Sequence, residues 1–140
     1  MVFDFNVFEK AACSEHDRRS LEPMMRTILS FSEKARREGL LALEEVIDEQ
    51  SDPFIVTGLR LIVDGTSQEY FDELMLTSIA SSNLKGKALL SRMVAFSGLR
   101  GLMRGDNPLL IKALLEAYVG YSISMPGNQD ADEPAEGIQP

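Results

Sequence analysis

The stretch SEKARREGLLALEEVIDEQSDPFIVTGLRLIVDG, residues 32–65, decides the fold class. Its punctuation is helical throughout. Gly39 follows a run of good helix formers, where a glycine takes the left-handed backbone that ends a helix. Asp52-Pro53 is a stop and a start together. The residue before proline is steered away from the helical region, and Pro53 suits a first helical turn, whose N–H would have no partner anyway. Asp64-Gly65 closes the segment. The run Phe54, Ile55, Leu59, Leu61, Ile62 and Val63 also fits a buried strand by periodicity alone. Pro53 and Gly65 favour helix.

Upstream, Ser20 precedes Leu21, Met25, Ile28, Ser32 and Ala35, a stripe of apolar and small residues that predicts one helix from a serine cap to Gly39. Leu40, Leu43, Val46 and Ile47 predict a second, shorter helix carrying Glu44, Glu45, Asp48 and Glu49. Downstream, Thr66-Ser67-Gln68-Glu69 has the form of a capping box. A long pattern follows through Phe71, Leu74, Met75 and Ile79. It weakens at Ser81-Ser82-Asn83 and Gly86, and resumes through Leu89, Met93, Phe96 and Met103. Gly105-Asp106-Asn107-Pro108 stops that helix and starts the last one, with Leu110, Leu114, Leu115 and Tyr118, ending at Gly120. Leu43, Phe54, Ile55, Leu59, Ile62, Phe96 and Leu114 are the expected core. No hairpin signal and no fixed-period repeat occurs. The expectation is an all-α, compact bundle of about five helices. Residues 1–20 are expected as an N-terminal tail, 21–120 as the helical domain, and 121–140 as an acidic, proline-rich, disordered tail.

A chain of 140 residues, 44% apolar and 26% charged, is the size of one domain and buries enough surface to fold without staples. One cysteine, Cys13, excludes an internal disulfide and suits a reducing compartment. The net charge of −8 argues against nucleic acid as a partner, because such binding is largely phosphate neutralisation. The N-terminal sequence lacks the pattern of a signal peptide. The longest uncharged stretches, Leu74 to Leu84 and Ala117 to Gln129, fall short of the roughly 20 apolar residues that cross a bilayer. A soluble or at most peripheral chain is the expectation.

The charge is segregated. Arg18, Arg19, Arg26, Lys34, Arg36 and Arg37 crowd the first segment, residues 18–37. Ten acids then run from Glu38 to Glu73 against Arg60 alone, and Lys85, Lys87, Arg92, Arg100 and Arg104 follow with no acid between them. Such runs are either solvated faces that pair with one another or surfaces that select a charged partner. Catalytic chemistry has no constellation to rest on. His16 is the lone histidine and has no spaced ligands to join. Cys13 stands near it, but proximity in a tail does not make a dyad. No glycine-rich loop follows a strand. Glu44, Glu45, Asp48 and Glu49 read as a wetted face before they read as a cation site. Neither enzyme activity nor a metal or other cofactor is expected.

Three segments resemble the MotA family of bacterial flagellar stator proteins. These are SEKARREGLLALEEVIDE (residues 32–49), DPFIVTGLRLIVDG (52–65) and GLRGLMRGDNPLLIKALLEAYV (98–119). The resemblance implies a cytoplasmic stator-like region. Two membrane spans precede the first segment in that family, and two more lie between the second and third. Here a few polar residues, around Ile79 to Lys87, stand where the later pair would be. By motif position, the family's rotor-contacting arginine and glutamate fall on Arg36 and Glu44, with Arg37 and Glu45 beside them. The resemblance therefore implies a FliG-like rotor protein or stator subunits as partners, no ion conduction by this chain, and a cytoplasmic place at the inner face of the cell membrane at the flagellar base. One alternative has Arg36 and Glu44 simply pairing with neighbours. Another is a peripheral membrane-surface module, with Arg92, Arg100 and Arg104 on a helix basic on one side and apolar on the other. A third is a stator remnant or engineered piece without independent function. The motor reading requires that the region before Gly65 and the region after Gly98 close on one apolar core.

Overall fold

The structure, a computed structural model, describes residues 2–124. Its elements among these residues are all helical: α1 (Phe5–Lys10), α2 (Glu15–Arg19), α3 (Glu22–Glu38), a 3₁₀ turn (Leu40–Leu43), α4 (Glu44–Ile47), α5 (Pro53–Val63), α6 (Gln68–Ser82), α7 (Gly86–Arg104) and α8 (Pro108–Val119). The all-α class stands. Residues 125–140, most of the expected disordered tail, lie outside the described residues.

Helix α7 is the axis of the bundle. Eleven of its nineteen residues are buried, and α3, α5, α6, α8 and α1 all pack against it. A helix apolar on most of its circumference is stable only when surrounded in this way. Small residues set how closely the neighbours approach. A Cβ added at Gly98 would stand 2.7 Å from Cγ2 of Ile28 on α3, and one at Gly58 on α5 would stand 2.6 Å from Cδ1 of Leu99. The region before Gly65 and the region after Gly98 thus share one core, centred on Met25, Ile28, Leu59, Met75, Phe96 and Leu115.

Local chemistry fixes the helix ends. The Asp52 carboxylate accepts the Phe54 N–H at 2.9 Å, and the Asn107 side chain accepts that of Leu109 at 2.8 Å. Each cap stands before a proline in the first turn, as the sequence predicts. Two caps differ from expectation. Ser20 does not start α3: its hydroxyl donates to the Asp17 carbonyl at 2.6 Å, because it ends α2, and α3 begins after Leu21 with no side-chain cap. The capping box is also displaced. Thr66 closes α5, its N–H reaching the Leu61 carbonyl at 3.1 Å while that of Gly65 reaches Ile62 at 3.1 Å, a Schellman closure. Ser67 is left to cap α6 by accepting the Tyr70 N–H at 3.2 Å. Tyr70 stands where the box needs a carboxylate or amide, so the reciprocal bond is not made.

The bundle of about five helices stands in the five long ones, α3, α5, α6, α7 and α8, with the short α1, α2 and α4 besides; Asn83, with a left-handed backbone (φ 62°), divides the long pattern into α6 and α7. Three further expectations are corrected. The N-terminal segment is folded onto the bundle: Phe3 and Ala11 are buried, Phe3 packs edge-on to Phe96 at 5.9 Å, and Phe8 stacks on Tyr118 at 5.6 Å. Leu114 is 40% exposed, because α8 turns Ile111, Leu115 and Val119 inward. Beyond α8, Ile123 is buried, and the Glu116 carboxylate accepts its N–H at 2.8 Å. The first residues of the expected tail therefore lie against the bundle.

Candidate partner-binding face

Arg36, Arg37, Glu44 and Glu45 flank one sharp bend. At Gly39 the backbone takes φ 95°, ψ 161°, a conformation that L side chains avoid, and this ends α3 and turns the chain into the 3₁₀ segment. Leu43 and Ile47 on the inner side are buried, packed with α5, so the bend is fixed from within.

Lys34 ties the bend from outside. Its ammonium lies 2.9 Å from a Glu45 oxygen and 3.1 Å from Glu38. Hydrogen bonds to Glu45 first and Glu38 second push the lysine above its ordinary pKa. Glu45 thus bonds within the molecule, joining the start of α4 to the end of α3. Arg37 stands 3.9 Å from Glu33, a long contact with the arginine side chain 64% exposed. Arg36 and Glu44 are exposed and take part in no ion pair among the described residues. Between them lies Leu41, 73% exposed. In the sequence, the signal for Leu41 is that it falls off the stripe of Leu40, Leu43, Val46 and Ile47.

The basic residues of α7 have another fate. Arg92 bonds Asp52 at 3.0 Å and lies 4.8 Å over the Phe54 ring. The Arg100 Nε donates to both oxygens of Asp72, at 3.0 and 3.2 Å, and Arg104 holds Asp106 at 2.6 Å. Met93 and Phe96, the apolar side of the imagined membrane-surface helix, are fully buried. The guanidiniums are thus neutralised locally and the apolar side is core, which weighs against the membrane-surface alternative.

Cys13 and His16 do not form a reactive pair. Burial first, then the charge of Asp17, pushes the Cys13 thiol up, whereas an activated nucleophile needs it lowered. The Cys13 carbonyl is engaged instead, accepting from Arg18 at 2.7 Å. His16 is exposed on α2. Among the described residues no group of three or more His, Cys, Asp or Glu side chains is placed to hold a metal ion. Nor is any helix among them long and apolar enough to cross a membrane.

No protein-family model matches the chain. Individual relatives do. It is 44% identical over 46 residues to Motility protein A of Borreliella burgdorferi, a match covering 33% of this chain and 18% of that protein. It is 35% identical over 65 residues to Motility protein A of Bacillus subtilis, covering 46% and 24%. The uncharacterized protein YtxD of Bacillus subtilis is 29% identical over 101 residues, 70% of this chain and 36% of that one. The chain therefore spans well under half the length of the curated relatives it matches. Over those partial stretches the chain is similar in sequence to motility proteins A.

Proposed function

We propose that this chain is a flagellar-motor-associated protein that engages a FliG-like rotor protein, or stator subunits, through the charged bend between α3 and α4. The observation that carries the reading is the state of Arg36 and Glu44: both are exposed and outside the ion pairs of the described residues. Lys34 and Glu45, by contrast, hold the bend in shape. A pair of opposite charges on a rigid corner steers a complementary surface and sets its register more than it adds raw affinity. The place of action is the inner face of the cell membrane at the flagellar base. The reading assigns the chain no ion conduction and no catalytic step.

The test is binding to the rotor protein of the same organism by surface plasmon resonance. Arg36→Glu and Glu44→Lys are each expected to weaken binding about tenfold, chiefly through the association rate, and raised salt to weaken the unsubstituted protein in the same way. Unchanged binding in both reversals, with helicity intact, would remove the site. A peripheral membrane-surface role through Arg92, Arg100 and Arg104 has less support, since each of the three already holds a carboxylate.

A further inference from the structure

At the end of the bundle where α1 meets the α6–α7 corner lies an open groove of about 270 Å³. Phe3 and Val7 line it from the N-terminal side, and Leu76, Ile79 and Leu89 from α6 and α7. Its polar lining consists of Lys10 and Asn83, with no acid among the lining residues. Lys10 is exposed at the last turn of α1 and enters no ion pair among the described residues. This end is unlike α7, whose arginines are matched by carboxylates: here an unmatched cation stands beside an apolar trough.

We propose that this groove binds a medium-chain fatty acid, the alkyl chain lying on the apolar walls and the carboxylate meeting Lys10. Three properties select that ligand. Ligand sites of this kind are mostly apolar with a few polar groups that orient the guest, and this volume lies just below their usual range, which begins at about 300 Å³, so a small guest is selected. A cofactor rich in hydrogen-bonding groups would find only Lys10 and Asn83 to answer it. The sign of the lone lining charge then decides between amphiphiles: an anionic head gains a partner, and a cationic one meets repulsion. The site is separate from the α3–α4 bend, so it stands whether or not a rotor protein binds there.

The experiment is isothermal titration of the whole chain with monomeric decanoate, below its aggregation concentration, and with decyltrimethylammonium for comparison. Decanoate is expected to bind saturably with one site and to outcompete the cation. In the series from hexanoate to decanoate, each added methylene should tighten binding about threefold to fourfold. Lys10→Glu should weaken decanoate at least tenfold and improve the cationic probe. Ala80, exposed on α6 and part of the lining, offers a second variant. Ala80→Trp fills the groove from a solvent-facing position and should abolish binding with helicity by circular dichroism unchanged. The proposal is overturned if the monomer does not bind, if affinity ignores chain length, or if Lys10→Glu leaves the preference between the two probes as it was. Flotation on anionic vesicles without saturable binding of the monomer would also overturn it, and would assign this end to a lipid surface instead.

Discussion

Helix α7 and the α3–α4 bend both set charged residues among apolar ones, and the structure uses the charges in opposite ways. In α7 the apolar residues are interior on most sides, and Arg92, Arg100 and Arg104 reach out to Asp52, Asp72 and Asp106. At the bend, one lysine is held by two glutamates, while Arg36 and Glu44 stand outside the ion pairs among the described residues. The difference shows that a run of charge says little until its partners are placed. Charge beside a packed core is consumed by the fold, and charge at a corner remains available to another molecule. Each of the following substitutions presses on one side of that contrast.

The largest effect is expected at Gly98, where α3 and α8 close on α7. A Cβ there would stand 2.7 Å from Ile28 Cγ2 and 3.4 Å from Leu115 Cδ2. Ile28 is fully buried, and its β-branched side chain has little rotamer freedom to yield. Gly98→Leu should cost about 3 kcal/mol of stability, read from the urea midpoint. Gly58→Ala is the control. Its obstruction is Leu99 Cδ1, the far end of a flexible side chain, and a gain of about 1 kcal/mol in helix propensity offsets the crowding. Equal midpoints for Gly98→Leu and the unsubstituted protein would mean that α7 is not enclosed as described.

A middle-sized effect is expected at Arg100. Its side chain and that of Asp72 are each only about a quarter exposed, 23% and 24%, so removing the arginine strands a largely buried carboxylate. Arg100→Ala should destabilise by about 1–2 kcal/mol after allowance for solvent screening. Asp72→Ala together with Arg100→Ala should cost less than the sum of the single changes. Arg36→Ala, at the bend, should stay within about 0.5 kcal/mol of the unsubstituted protein. If Arg36→Ala proved as costly as Arg100→Ala, the two regions would not differ, and Arg36 would be a structural residue.

Much of this architecture is legible in the sequence because the decisive signals are local. Asp52-Pro53 and Asp64-Gly65 bound α5, Asn107-Pro108 and Gly120 bound α8, and Gly39 ends α3, each through backbone chemistry that needs no distant partner. The parts that were missed depend on the fold. Helices α1 and α2, of six and five residues, are too short to show a stripe and too short to be stable alone; Phe3 and Phe8 hold α1 by packing on Phe96 and Tyr118. Leu109, Leu110, Leu114 and Leu115 provide more apolar residues than one face can bury, so periodicity does not settle which of them turns inward. Arg92 finds Asp52 forty positions away, a pairing that no spacing rule contains. At the candidate site, the resemblance located Arg36 and Glu44, but the use of Glu45 as a tie to Lys34 came only from the folded bend.

That tie supplies the smallest and most selective test. Hydrogen bonds to Glu45 and then Glu38 raise the Lys34 pKa in the folded state. A group whose folded pKa lies above its unfolded value contributes stability that is fully present below the unfolded pKa. The contribution is lost as pH rises through the raised one. Below the ordinary lysine range, Lys34→Met should therefore be slightly less stable than the unsubstituted protein, and the gap should close as pH is raised through and beyond that range. The comparison must be made between the two proteins rather than on one alone. Burial also raises Tyr118 and Tyr121, and their loss of protons adds an alkaline destabilisation common to both. Urea midpoints taken at steps from neutral to strongly alkaline pH measure the gap directly. A Lys34→Met gap that stayed constant with pH would mean that the lysine charge does not hold the bend, and that the corner carrying Arg36 and Glu44 is kept in shape by Leu43 and Ile47 alone.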